Sequence, residues 1–284
     1  MSCNPSAPDR ECDQYLKRSV IDLFSLKDRV TVITGGARGI GLAFAVACAE
    51  MGSHVAVLDV SSTPHNDFTR LQNDYGVKVK LYQTDVTSYE LLEETFNNIV
   101  KDFGRVDGLV TAAGICPDQP FTKRDPASVR KCLDINVLGT YFTAQLFTKQ
   151  IEKQDQGQHS PRGGSVVMIG SICAYMASKA QFLSDYCASK GAVVALAKGL
   201  GVELAPMNIR VNSISPGYTA TDMTLSIADS RPELFHIFQT EPPMKRMGDR
   251  ADLKGALVYL LSGASAYTTA TDVLITGGLH AGRV

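Results

Sequence analysis

Val30-Thr-Val-Ile-Thr-Gly-Gly-Ala-Arg-Gly-Ile-Gly41 decides the fold. Five consecutive β-branched residues read as a strand buried on both faces. The glycines that follow turn the chain, and Ile40 to Met51 carries the apolar content of a helix. A strand, a glycine turn and a helix in that order form the first half of a parallel crossover unit. Gly35, Gly39 and Gly41 stand where a tight turn must let a pyrophosphate approach the backbone. Arg38 and Ile40 lie between them, at the end of the helix whose unpaired N–H groups and positive dipole end attract phosphate.

The same rhythm continues outward. His54–Asp59, 77–83, 106–113, 164–170, 209–215 and 272–276 read as six more strands. Helical patterns separate them over 64–75, 87–103, 125–153, 185–205 and 249–262. Thr87-Ser-Tyr-Glu90 offers a capping box, and Asp125-Pro126 a cap followed by a first-turn proline. Strands alternating with helices predict an α/β chain with a parallel sheet covered on both faces. No linker interrupts the alternation, so the expectation is one doubly wound, Rossmann-type domain over 26–284 with seven parallel strands. Residues 1–25 read as a mobile tail, 153–164 as an exposed excursion, and 222–247 as an irregular loop with short helices on the substrate side.

Composition excludes several function classes. The 284 residues carry 28 basic and 29 acidic side chains, for a formal net charge of −1. No basic excess points to nucleic acid, and no polybasic arm points to an anionic membrane. The longest plain apolar run, Ala43 to Ala49, is far below the ~18 residues of a membrane span. The first residues lack the apolar core of a secretory signal, so the expected location is cytoplasmic. Seven cysteines, at 3, 12, 48, 116, 132, 173 and 187, include no C-x-x-C. Reduced thiols, and no metal site, are the expectation.

Asp59 ends the second strand 18 residues after Gly41. An acid about 20 residues past the glycine loop bonds the adenosine ribose hydroxyls in dinucleotide-binding units. A carboxylate there repels a 2′-phosphate, so Asp59 favours NAD. Arg38, with Ser61 and Ser62 nearby, keeps NADP as the alternative.

Tyr186 and Lys190 are separated by one helical turn, in Tyr-Cys-Ala-Ser-Lys, and share a helix face. A lysine ammonium stabilises a neighbouring phenolate and lowers a pKa that ordinarily lies near ~10. Such a tyrosine serves as general acid or base.

Taken together, TGGARGIG (34–41), Asp85 in QTDVT, Asn136 in LDINVLG, Ser171 in VVMIGS, YCASK (186–190) and SPGYTATD (215–222) make the chain resemble the short-chain dehydrogenase/reductase family over residues 28–278. The wording around SPGYTATDM also resembles fungal mannitol or sorbose reductase-like members. The resemblance implies a nicotinamide-dependent oxidoreductase that interconverts a ketone and a secondary alcohol, with polyols and ketoses or a secondary-metabolite ketone as substrate classes. It implies a proton relay in which Tyr186 exchanges the proton, Ser171 orients the substrate oxygen, Lys190 holds the nicotinamide ribose, and Asn136 holds a water. It further implies cofactor contacts at Asp85, Val86, Ala113, Gly114, Pro216, Gly217, Thr219 and Thr221, and association into homo-tetramers or homo-dimers. The competing reading is a dinucleotide-binding regulator without turnover.

Two positions depart from the family pattern. Its Asn-Asn-Ala-Gly is here Thr111-Ala112-Ala113-Gly114, which puts the tie between neighbouring strands in doubt. Its late Asp-Gly-Gly is Thr276-Gly277-Gly278. The family's usual tyrosine-to-serine spacing would select Cys173 instead of Ser171. The end of the fifth strand fixes position better than loop length does, and it selects Ser171.

Overall fold

The computed structural model describes residues 17–156, 162–225 and 231–282. Seven strands form one all-parallel sheet: β1 Val30–Thr34, β2 His54–Asp59, β3 Val79–Gln83, β4 Gly108–Thr111, β5 Gly164–Ile169, β6 Ile209–Pro216 and β7 Asp272–Ile275. Their spatial order is β3-β2-β1-β4-β5-β6-β7. The order reverses direction between β1 and β4, which leaves a crevice at the carboxyl ends of those two strands, where open α/β sheets bind ligands. The expected single-domain, doubly wound fold is the observed one.

Alternation within each strand builds two cores. Ile33, Val55, Val57, Val110, Val167 and Ile169 face α2 (Gly39–Glu50), α3 (Phe68–Asn73) and the last long helix, α10 (Ala251–Leu261). Val32, Ala56, Leu58, Leu109, Val166 and Met168 face α4 (Tyr89–Phe103), α6 (Gly139–Asp155) and α7 (Ser184–Glu203). Period-2 strand geometry sends neighbouring residues to opposite layers, so β1 and β4 are buried at every position.

The differences from the sequence reading are local. The stretch 1–25 lies mostly outside the described residues, but Val20–Phe24 forms a short helix, α1, whose cap Ser19 accepts from the N–H of Asp22. Ser88, and not Thr87, caps α4, accepting from the N–H of Leu91. The long helical pattern after Pro126 is α5 (Pro126–Leu133), then a π-helical turn over Asp134–Leu138, then α6. In the stretch expected to be an irregular loop with short helices, α8 (Asp222–Leu225) and α9 (Pro232–Thr240) flank residues 226–230, which lie outside the described residues. The excursion over 153–164 lies outside them at 157–161. The tie between β1 and β4 is made without the family's amide: Ala112 N–H donates to the carbonyl of Thr34, and Ala113 N–H donates to its hydroxyl at 3.3 Å.

Candidate active site

The carboxyl ends of the strands bring the predicted residues together. The β1 turn is tight because of what surrounds Gly41: a Cβ there would sit 2.1 Å from the carbonyl oxygen of Gly35. Gly39 has φ +60°, and a Cβ on it would meet nothing within 4 Å. An open left-handed glycine at the start of α2, beside first-turn N–H groups that have no intrahelical partner, fits a dinucleotide pyrophosphate. Ile40 opens α2 beside it, and Arg38 is exposed on the same turn.

Asp59 is 7% exposed, and both of its carboxylate oxygens are occupied. One accepts from the N–H of Ala37 at 3.0 Å and the other from the N–H of Ser61 at 3.0 Å. Asp85 accepts from the N–H and hydroxyl of Thr87. Val86 is packed so close to the start of α6 that a Cβ on Gly139 would meet its side chain at 2.6 Å.

Tyr186 and Lys190 come from the first turns of α7, Ser171 from just beyond β5, and Asn136 from the π-helical turn. Lys190 Nζ donates to the carbonyl of Ile169 at 2.7 Å and lies 5.7 Å from the centroid of the Tyr186 ring. Burial pushes the Lys190 ammonium down to about 8. Contrary to the lowering expected from Lys190, burial raises the Tyr186 phenol, with the Cys116 and Cys173 thiols adding to the rise and Ser171 acting in the opposite direction. Ser171 Oγ accepts from the N–H of Cys173 at 3.1 Å. Serine and tyrosine hydroxyls are thus neighbours, and Cys173 supplies its backbone.

Asn136 is fully buried. Its Oδ1 accepts from the N–H of Ile115 at 2.9 Å, and its Nδ2 donates to the Ile115 carbonyl and to Ser189 Oγ. It therefore joins the segment after β4 to α7. A Cβ on Gly114 would lie 3.2 Å from Asn136 Oδ1 and 3.7 Å from Lys190 Nζ. Gly114 keeps open a space that both polar groups face. Beyond β6, the N–H of Gly217 donates to Ile275, Thr219 Oγ1 donates to the Gly217 carbonyl, and Thr221 pairs with Thr224. Pro216 closes β6 against Ile275 of β7.

Sequence reasoning missed the residues that tie the rim. Arg124 and Asp185 form an ion pair with each side chain 3% exposed, immediately before Tyr186. Arg124 also donates to the carbonyls of Gln119 and Phe182. Arg231, at the start of α9, pairs with Asp118 at 2.8 Å and donates to the Ala180 carbonyl. Asp118 in turn accepts from the N–H of Phe182. Tyr218 donates to Glu241 at 2.8 Å and stacks on Phe238. Apart from Arg124 and Gln119, these partners are far from each other in sequence, and no local pattern announces them.

A family model described as enoyl-(acyl carrier protein) reductase, of the short-chain alcohol dehydrogenase group, matches residues 35–280. The chain is 35% identical to an NADP-dependent mannitol dehydrogenase of Hypocrea jecorina, over 91% of this chain and 95% of that one. It is 36% identical to a sorbose reductase of Candida albicans, over 93% and 91%. The solved structure of the NADPH-dependent 3-quinuclidinone reductase from Rhodotorula rubra superposes with a TM-score of 0.83 at 33% identity, covering 98% of this chain and 97% of that one.

These likenesses correct the preference for NAD drawn from Asp59. The mannitol dehydrogenase and the quinuclidinone reductase carry NADP and NADPH in their names. Asp59 spends its two oxygens on the glycine turn and the start of the next loop, so its place at the strand end does not by itself assign it to a ribose. From the strand and glycine loop to the matched relatives, the observations agree that this chain is an NAD(P)-dependent oxidoreductase and belongs to the short-chain dehydrogenase/reductase family.

Proposed function

We propose that the protein uses NADPH to reduce a polyhydroxylated ketone to its alcohol, and catalyses the reverse oxidation, with Tyr186, Ser171, Lys190 and Asn136 as the proton relay. The observation that carries this reading is the convergence of Tyr186 from the start of α7 and Ser171 from the end of β5 beside the buried Lys190 ammonium. Bound NADPH supplies the hydride. Ser171 donates a hydrogen bond to the substrate oxygen, and Tyr186 gives that oxygen its proton. The Lys190 charge stabilises the phenolate left behind. Asn136 and Lys190 hold a water in the space above Gly114, through which Tyr186 is reprotonated. The polar rim of Asp118, Arg231, Tyr218 and Glu241 suits a substrate with several hydroxyls, in keeping with the mannitol and sorbose named for the relatives.

The test is consumption of reduced nicotinamide, followed by absorbance, across ketoses and simple aliphatic ketones. Turnover of ketoses supports the reading, and NADPH binding without turnover of any ketone overturns it. Ser171→Ala is expected to lower kcat by about 10²-fold, the lower end for a positioned proton-handling group. Cys173→Ala, measured beside it, is expected to keep nearly full activity. The reverse pattern would move the role to Cys173.

Arg38 is the group that meets the 2′-phosphate, because it is exposed beside a loop whose acid is already hydrogen-bonded. Arg38→Ala should weaken NADPH binding about tenfold or more, the loss of one charge-assisted pair, and leave NADH binding unchanged in fluorescence titrations. Pairing of two copies through α5–α7, where Leu133, Leu138 and Tyr141 are exposed, accounts for an apolar surface that one copy leaves in water. Light scattering at the mass of a monomer would exclude it. Among the described residues no helix is long and apolar enough to cross a membrane, and a cytoplasmic site of action is part of the same proposal.

A further inference from the structure

At the opposite end of the sheet from Tyr186, the amino ends of β1, β4, β5 and β6 enclose a cavity of about 200 Å³. Arg29, Arg162 and Arg210 line it, together with Asp107, Ser165 and Asn208. Arg29 and Arg210 have a structural duty. Arg29 donates to the Leu261 carbonyl at 2.9 Å, and Arg210 donates to the Ser262 carbonyl at 3.1 Å and to Ser265 Oγ at 2.7 Å. They satisfy the carboxyl end of α10, where backbone acceptors and the dipole favour a cation. Their charges are not thereby neutralised. Asp107 is the carboxylate in the lining, and it is held in a two-point contact by Arg105 while also accepting from the N–H of Val30. Burial lowers the pKa of Arg29; attraction to Asp107 opposes that shift, and repulsion from Arg162 and Arg105 adds to it. Burial likewise lowers Arg210 to about 10, with Arg29 again repelling it.

Arg162 is the informative member. It is exposed, and its guanidinium makes no hydrogen bond or ion pair among the described residues, although its own N–H is fixed by Asp155 and its carbonyl accepts from Asn208. The backbone beside it is equally fixed: Gly163 has φ +65°, and a Cβ there would fall 1.9 Å from the Asn208 carbonyl oxygen. Three guanidinium groups therefore line a cavity whose carboxylate is already held by a fourth, that of Arg105, in a volume below the roughly 300–1,000 Å³ that drug-sized ligands occupy. Guanidinium forks match the oxygens of phosphate in two-point hydrogen bonds, and an anion would relieve their mutual repulsion.

We propose that this cavity is a second ligand site that binds a compact phosphate-class anion, either free inorganic phosphate or the phosphoryl group of a small metabolite, through Arg29, Arg162 and Arg210. The site is separate from the glycine loop, which lies at the other end of β1.

The test uses the full chain saturated with NADPH, so that the glycine loop is already filled. Thermal unfolding is followed while inorganic phosphate replaces chloride at constant ionic strength, with a phosphate monoester, glycerol 3-phosphate, in a parallel arm. A melting temperature that rises by several degrees and saturates, a rise lost in Arg162→Ala and partly restored in Arg162→Lys, supports the site. Comparing the two arms identifies the source: a response confined to inorganic phosphate means the free ion, and a tighter response to the monoester means a metabolite. Arg162→Ala is expected to leave turnover unchanged, since it caps no helix and lies far from Tyr186. No saturable rise in either arm, or an equal rise in Arg162→Ala, overturns the proposal.

Discussion

Tyr186→Phe is expected to lower kcat by about 10²–10⁴-fold, the range a positioned proton donor contributes, while NADPH binding stays within about twofold. The substitution removes one hydroxyl and leaves the ring over which Lys190 sits, 5.7 Å from its centroid. The buried Lys190 keeps its bond to the Ile169 carbonyl, so the fold around the site is retained. Two measurements check this: single-turnover kinetics with saturating NADPH, and quenching of nucleotide fluorescence on binding. A variant with more than about a tenth of the original kcat would mean that another group delivers the proton, and the assignment of Tyr186 would fall.

Arg124→Ala is expected to be the most destabilising single change at the rim. Asp185 would remain 3% exposed with no cation beside it, a loss of about 3–5 kcal/mol. For a chain of this size that corresponds to a melting temperature lower by about 10 °C. The loss is structural first, because Arg124 also holds the carbonyls of Gln119 and Phe182 and so joins the segment after β4 to the entry of α7. The double replacement Arg124→Met with Asp185→Leu is expected to recover most of that temperature. The pair is incompletely satisfied, since among the described residues Arg124 Nε and Asp185 Oδ2 are buried without a hydrogen-bond partner, and such pairs are readily matched by apolar side chains. Thermal unfolding of the three variants separates the outcomes; a double variant no better than Arg124→Ala would show that the carbonyl contacts, and not the ion pair, carry the stability.

What the sequence discloses about this molecule follows from the range of the forces involved. β1 and β2 were readable to the residue because a run such as Val30–Thr34 has one stable environment, the middle of a parallel sheet. The glycine loop was readable because Gly41 has no room for a side chain. Tyr186 and Lys190 were readable because one helical turn sets their separation. The π-helical turn around Asn136 was not: one added residue in a helix leaves the apolar pattern almost unchanged, and what holds the turn is a bond to Ile115, 21 positions earlier. Asp59 was misread for a related reason. Its position at the strand end is local, but the use of its oxygens depends on where the N–H of Ala37 points, 22 residues upstream. Arg231 and Asp118 are 113 positions apart, and only the folded chain makes them neighbours.

The strand order also sets a timetable for synthesis. β1 lies in the middle of the sheet, paired with β2 on one side and β4 on the other. A ribosome releases β1, β2 and β3 first, so half a sheet can assemble with the far edge of Val30–Thr34 still bare. That edge waits for Gly108, 74 residues beyond Thr34. At roughly 5–20 residues per second the wait is about 4–15 s. Throughout it, an apolar strand with unpaired N–H and carbonyl groups is open to any other extended chain. The hazard for this protein is thus concentrated in the nascent chain, before the β4 edge arrives, and it ends when Ala112 and Ala113 bond to Thr34.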